Sequence, residues 1–232
     1  MKAISSMATR HVLIDLLAMA ASAGLPPLEL ESVGGVDAAQ RVAAGEPFDL
    51  VFLAHDALEK LGTAGAVDAA TITPLVLSEV AAAVPSGSTE TASRPVVAPF
   101  ADAAGVREAV RNAARIGYST GPSGTALLEL IDDWGLTGEV GDRLVQARPG
   151  VPVARLLADG EADLGFQQLS ELVGQPGVRI LGVLPADYAI DTVFSGAVAM
   201  ASTRPGDVRE LLSFLASDAT AATRAAHCFR VP

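Results

Sequence analysis

Apolar segments that suit buried strands alternate with amphipathic segments along the 232-residue chain. Residues 49–54 (DLVFLA) form an apolar run of the kind found in strands buried on both faces of a parallel sheet. In residues 8–23 the apolar positions recur at helical spacing, and Pro26 and Pro27 end the pattern. Alternation of this kind predicts an open α/β sheet.

The same patterns, with breaks at Gly and Pro, give the approximate bounds of each element. The predicted strands cover residues 2–6, 28–33, 49–54, 75–84, 115–118, 143–147, 163–167, 178–183 and 193–201. The predicted helices cover residues 8–23, 36–44, 56–61, 102–114, 125–134, 151–159, 170–173, 207–216 and 217–226. A loop rich in Ser, Thr and Gly is predicted at residues 86–91.

Two of the apolar runs, residues 75–84 and 193–201, are longer than most of the other predicted strands. We interpret them as two strands that cross between two α/β lobes, with a ligand cleft between the lobes. Lobe 1 is expected to comprise residues 1–80 and 195–232, and lobe 2 residues 81–194.

Composition and charge narrow the classes of function. Half of the residues are apolar, which excludes disorder as a description of the whole chain. The 16 Lys and Arg against 27 Asp and Glu give a net charge of −11, so we expect no nucleic-acid partner. The single cysteine, Cys228, excludes an internal disulfide, and His11, His55 and His227 have no metal-ligand spacing. We therefore expect neither a metal site nor a cofactor.

The first segment has two interpretations. Lys2 and Arg10 precede an apolar stretch at residues 12–24 that ends in small residues, an order found in secretion signals. Asp15 interrupts that stretch, and the residues before it suit a strand that leads into a helix. We expect a mature cytoplasmic protein, with a periplasmic location as the alternative if residues 1–23 act as a signal peptide. Membrane insertion is not expected, because no run reaches the roughly 20 apolar residues that span a bilayer.

Three predicted strand-to-helix loops are rich in Ser, Thr and Gly. Each presents hydroxyl groups and backbone N–H groups at the positive end of a helix dipole, which suits an oxyanion or carboxylate. The same residue types are also ordinary helix caps and turn residues. All three loops follow predicted strands, at the edge where open α/β sheets bind ligands. The candidate binding residues are Ser5, Ser6, Met7, Ser32, Ser119, Ser123 and Gly124.

Gln168 follows the strand predicted at residues 163–167. Its amide can both donate and accept a hydrogen bond, so it can recognise a carboxylate without adding charge. The alternative is an exposed strand end before a helix that Ser170 caps. As a binding residue, Gln168 is expected to place its side chain in a solvent-open cleft.

Two titratable residues are candidates for acid–base chemistry. His55 directly follows the apolar run at residues 49–54 and suits either an anion donor or a general base. The alternative is an ordinary N-terminal helix residue beside Asp56. Glu79 interrupts the run at residues 75–84, where a buried carboxylate would be costly unless it is paired or functional.

Three segments together resemble the periplasmic molybdate-binding proteins of ABC transporters: DLVFLAHDAL (49–58), STGPSG (119–124) and ADLGFQQLSEL (162–172). That family has the type 2 periplasmic-binding-protein fold, and the resemblance covers nearly the whole chain. It implies that an oxyanion is held by hydroxyls and backbone amides at helix N-termini, here the loop residues named above with Val151 and Gln168. Molybdate binders usually have a Tyr where Gln168 stands, and this difference favours a carboxylate ligand.

The resemblance also includes an enzymatic branch, the aconitate isomerases, which shift a double bond by moving a proton. We therefore expect a small-anion binding protein whose ligand is a di- or tricarboxylate rather than molybdate. The alternative is a cofactor-free isomerase of a small unsaturated carboxylic acid, with His55 or Glu79 as the base and hydroxyl and amide donors that stabilise the enediolate. The expected partner is a small anion or carboxylate, and an ABC transporter only if the chain is secreted.

Overall fold

The computed structural model of the protein describes residues 1–87, 92, 100 and 102–232. Its strands are β1 (Lys2–Ser6), β2 (Glu29–Val33), β3 (Leu50–Ala54), β4 (Thr73–Pro85), β5 (Ile116–Tyr118), β6 (Leu144–Gln146), β7 (Leu164–Gln168), β8 (Val178–Val183) and β9 (Asp191–Val198). Its helices are α1 (Arg10–Ser22), α2 (Gly35–Ala43), α3 (His55–Thr63), α4 (Ala103–Asn112), α5 (Pro122–Asp133), α6 (Thr137–Val140), α7 (Val153–Ala158), α8 (Leu169–Leu172), α9 (Pro205–Leu215) and α10 (Ala221–Ala226).

The chain folds into two compact units. Unit 1 comprises Met1–Ser78 with Thr192–Pro232, and unit 2 comprises Glu79–Asp191. The chain therefore passes from unit 1 to unit 2 within β4 and returns near the start of β9. The boundaries predicted from the sequence lie at 80/81 and 194/195.

Unit 1 contains a mostly parallel sheet. β1 pairs in parallel with β2 on one side and β3 on the other, and β9 pairs antiparallel with β3. Because β1, β2 and β3 run in the same direction, their carboxyl ends lie at one edge of the sheet. That edge carries Ser6, Val33 and Ala54 as the last strand residues.

The core of unit 1 includes the segment that resembles a secretion signal. Val12, Leu13 and Leu16 of α1 are at most 2% exposed and belong to the same apolar cluster as Leu211 and Leu212 of α9. Among the described residues, no helix combines the length and the apolar character needed to cross a bilayer.

Unit 2 contains a mixed sheet. β4 pairs antiparallel with β7 and β8, while β5 pairs in parallel with β7 and β6. The buried apolar side chains come from the sheet and from α4 and α5, among them Val106, Ile116, Leu127 and Phe166. The parallel part of the sheet brings the ends of β5 and β7 to one edge, where Ser119 and Gln168 lie.

The predicted elements agree with those of the structure except in detail. The predicted helix 8–23 is divided into a short 3-10 turn, Met7–Thr9, and α1. The helix predicted to begin at residue 125 begins at Pro122, because proline suits the first helical position. The hydrophobic pattern did not predict α6, because its four residues are too few to show a helical period. Of the predicted loop at 86–91, residues 88–91 lie outside the described residues.

Candidate functional site

Two serine hydroxyls meet at the carboxyl ends of β1 and β2. The strand register places Ser5 opposite Ser32, and their Oγ atoms are 2.8 Å apart. Ser5 is fully buried, and its hydroxyl also reaches the Ser6 carbonyl oxygen at 3.2 Å. When Ser5 donates to Ser32, the partly exposed Ser32 hydroxyl retains its own proton for a ligand oxygen.

Ser6 has the clearest unsatisfied polar group of this edge. Its side chain is 6% exposed, and its Oγ has no hydrogen-bond partner among the described residues. It lies beside Gly35, the first residue of the nine-residue helix α2, where an added Cβ would be 3.6 Å from the Ser6 Cβ. A buried hydroxyl without an acceptor is costly, so the Ser6 group is suited to an anion at the α2 N-terminus. Met7, also predicted to bind, begins the 3-10 turn that follows Ser6.

His55 belongs to the same edge of the sheet in unit 1. It is the first residue of α3, directly after β3, and its Nδ1 is 2.9 Å from the Ser195 Oγ on β9. Its Nε2 is 3.7 Å from a carboxylate oxygen of Glu59, one turn later on α3. The two ring nitrogens therefore face different partners, a buried hydroxyl and an exposed carboxylate.

In unit 2, the loop between β5 and α5 forms a second hydroxyl cluster. The Ser119 and Ser123 Oγ atoms are 2.9 Å apart, and the Gly121 N–H donates to the Ser119 Oγ at 3.2 Å. Ser123 is 2% exposed and lies in the first turn of the 12-residue helix α5. This arrangement brings hydroxyl groups to the N-terminus of α5, where the positive end of the helix dipole lies.

Gly124 permits this tight loop. A Cβ at Gly124 would be 1.8 Å from the Ser119 carbonyl oxygen, so no other residue fits without moving the backbone. The glycine predicted as a binding residue therefore has a steric role, which is to let the first turn of α5 approach Ser119.

The predicted solvent-open position of Gln168 is wrong. Gln168 is the last residue of β7 and is 2% exposed. The strand passes directly into α8, which begins at the next residue. Val151 lies just before α7, and its N–H donates to the Arg148 carbonyl oxygen at 2.9 Å, so that amide is already engaged.

A buried hydrogen bond next to Gln168 was not predicted from the sequence. Gln167 is 2% exposed, and its Oε1 accepts a hydrogen bond of 2.7 Å from the Val153 N–H at the start of α7. Burial raises the pKa of Glu171 to about 7, and a hydrogen bond from the Gln167 amide opposes that shift. Gln167 therefore joins β7 to α7 through Val153 and to α8 through Glu171. The segment FQQLSEL does not indicate the first of these contacts, because Val153 is 14 residues away in the sequence.

Glu79 is half-buried in β4, where it is the first residue of unit 2. It interacts with other residues of the protein, which fits the expectation that a carboxylate in this strand is paired or functional. In the described part of the chain, no group of three or more His, Cys, Asp or Glu side chains is placed to hold a metal ion.

Residues 3–230 match the family described as bacterial extracellular solute-binding protein. The chain belongs to that family, and its fold is the two-lobed type 2 periplasmic-binding-protein fold.

The individual proteins that this chain is similar to include an enzyme and binding proteins. The chain is 34% identical over 177 residues to an aconitate isomerase from a Pseudomonas species, a match that spans 76% of this chain and 65% of that protein. The periplasmic molybdate-binding protein of Azotobacter vinelandii has a similar structure, with a TM-score of 0.78 and 18% identity over 100% of this chain and 99% of that one. The substrate-binding domain of a molybdenum ABC transporter from Clostridium difficile has a TM-score of 0.72 and 15% identity, over 100% and 98% of the two chains.

The raised pKa of Glu171 predicts a pH-dependent stability. Its carboxyl has a higher pKa in the folded chain, about 7, than its ordinary value of 4.5, so folding favours the protonated form. Wild-type stability should therefore fall as the pH rises from 4.5 to about 7 and level off above that range. Glu171→Gln, which is neutral at every pH, should gain about 2–3 kcal/mol over wild type between about pH 5 and about pH 8.

Urea unfolding at the two pH values measures this gain. The matched control is Glu129→Gln, an exposed substitution on α5, whose difference from wild type should be the same at both values. An equal effect of Glu171→Gln at both pH values would contradict a raised pKa of the Glu171 carboxyl.

Proposed function

We propose that this solute-binding protein binds a small anion through neutral hydroxyl and amide donors, and that the anion is a di- or tricarboxylate rather than molybdate. The observation that carries the proposal is the buried Ser6 hydroxyl, which has no acceptor among the described residues. It lies beside the paired Ser5 and Ser32 hydroxyls at the N-terminus of α2. A ligand oxygen would supply the missing acceptor.

Neutral donors suit a protein with this overall charge. The chain has a formal net charge of −11, so an anion approaches against the long-range field and must be held by short-range interactions. Hydroxyl and amide groups at helix N-termini provide such interactions without a positively charged side chain. The Ser119–Ser123 pair at the start of α5 repeats the arrangement in unit 2.

The preference for a carboxylate rests on two observations. Gln168 is buried at the end of β7, and an amide can both donate to and accept from a carboxylic acid. The aconitate isomerase relative, at 34% identity, is named for a tricarboxylic acid. For an exported form of the chain, the partner we propose is an ABC transporter.

A thermal-shift comparison tests the choice of ligand. Citrate and trans-aconitate should raise the melting temperature more than molybdate or sulfate at equal concentration, because a tighter ligand stabilises the folded state more. The opposite ranking would make molybdate or a similar oxyanion the ligand and would remove the argument from Gln168.

Calorimetry on two serine variants accompanies that comparison. Ser6→Ala and Ser32→Ala should each weaken citrate binding by about 1–3 kcal/mol, as for a lost hydrogen bond to a charged group. The control is Ser22→Ala on α1, whose hydroxyl donates to the Ala18 carbonyl within the helix and should not affect binding. Wild-type affinity in both variants would contradict binding through these hydroxyls.

The second candidate function is isomerisation of a small unsaturated carboxylic acid, and the aconitate isomerase relative favours it. In that reaction a base takes a proton from a carbon next to a carboxylate, and the electron pair moves onto the carboxylate oxygens. The proton returns to another carbon, so the double bond moves and no cofactor is consumed. His55 and Glu79 are the two candidates for the base.

Proton exchange separates the binder from the isomerase. In deuterium oxide, an isomerase should incorporate deuterium into cis- or trans-aconitate, and Glu79→Gln or His55→Gln should abolish the exchange if that residue is the base. NMR of the ligand detects the label directly. If every acid that binds keeps its protons, the protein is a binder and not an isomerase.

A further inference from the structure

His55 has two possible neutral forms, and they have opposite chemistry. With the proton on Nδ1, Nε2 has a lone pair and can accept a proton. With the proton on Nε2, that nitrogen is a hydrogen-bond donor. The form that the protein imposes therefore determines whether His55 acts as a base or as an anion donor.

Ser195 restricts the choice. Its side chain is completely buried on β9, and its Oγ is 2.9 Å from the His55 Nδ1. In the described part of the chain, the Ser195 hydroxyl has no other hydrogen-bond partner. A buried hydroxyl proton without an acceptor is costly, which favours donation from the Ser195 O–H to an Nδ1 that carries no proton.

Glu59 favours the same form from the other side of the ring. Its Oε1 is 3.7 Å from the His55 Nε2, and a carboxylate stabilises a proton on the nitrogen that it faces. The separation is longer than a hydrogen bond, and the Glu59 side chain is 64% exposed. The Nε2–H group is therefore still able to donate to another acceptor.

The position of His55 suits its Nε2–H group to donate to a ligand. His55 follows β3 at the sheet edge that also carries Ser5, Ser6 and Ser32, since the three strands of that edge are parallel. We propose, on the basis of the anion-binding function proposed above, that Ser195 is a positioning residue that holds neutral His55 in its Nε2–H form. His55 then donates a hydrogen bond to a carboxylate ligand and is not the base. Any proton transfer by this protein would need another base, such as Glu79.

NMR tests the proton position on the full chain without a ligand. Long-range proton–nitrogen correlation at about pH 8, where histidine is ordinarily neutral, should show a protonated Nε2 and an unprotonated Nδ1 for His55. The His55 signals are assigned by their loss in His55→Gln, while those of His11 and His227 remain. A protonated Nδ1 would overturn the proposal.

Variants at position 195 test whether Ser195 imposes that form. Ser195→Ala should give a mixture of the two forms, and Ser195→Thr, which keeps the hydroxyl, should restore the Nε2–H form. If the spectrum of His55 is the same in Ser195→Ala as in wild type, Ser195 does not position it. If Ser195→Ala fails to fold, a mixture of forms in Ser195→Thr would overturn the proposal in the same way, whereas the Nε2–H form would support it.

A matched pair of substitutions at position 55 tests the donor role. The amide N–H of His55→Gln reaches the position of Nε2 but cannot act as a base, whereas His55→Asn reaches only the position of Nδ1. Calorimetry with citrate should give an affinity within about threefold of wild type for Gln and about tenfold weaker for Asn. Equal losses in both variants would contradict the donor role.

The two proposals fail in different ways. If wild-type protein binds neither citrate nor molybdate, the proposed function is wrong and the donor role fails with it, but NMR alone still decides the assignment of the proton. If citrate binds and His55 carries its proton on Nδ1, the function stands and the inference about His55 is overturned.

Discussion

The parallel register of β1 with β2 and β3 is the constraint on which the site in unit 1 depends. It places Ser5 opposite Ser32 on one side and opposite Phe52 on the other, so the strands end together. Had β2 shifted by one residue, Ser32 would face the opposite side of the sheet and the 2.8 Å hydroxyl pair would be lost. On β2, Leu30 is partly buried against the core of unit 1 while Glu29 and Glu31 are exposed, so a one-residue shift would turn a glutamate inward in place of Leu30.

Burying a polar side chain at a strand end is unfavourable unless the side chain forms a hydrogen bond, and most of the buried polar groups here have a partner. Ser5, Gln167 and Ser195 are each at most 2% exposed, and each has a hydrogen-bond partner within the protein. Ser6 differs, since its buried hydroxyl has no partner among the described residues. Among the serines at this edge of the unit 1 sheet, the contrast marks Ser6 as a position at which folding leaves a polar group for a ligand to satisfy.

Local patterns predicted the elements and most of the hydroxyl clusters, because strand and helix periods are set by residues close in sequence. They did not predict how side chains from distant segments meet. The contact of His55 with Ser195 joins residues 140 positions apart, and only the antiparallel pairing of β3 with β9 brings them together. Gln168 was expected in solvent for a similar reason, since a local pattern does not show which distant segments bury a strand end.

A crystal structure of the protein with citrate would test the central claim most directly, namely that neutral donors hold the anion. Citrate oxygens should accept hydrogen bonds from the Ser6 and Ser32 hydroxyls, and no Lys or Arg side chain should lie within ion-pair distance of the ligand. A citrate carboxylate held by a guanidinium or ammonium group, with the Ser6 hydroxyl still without an acceptor, would contradict it.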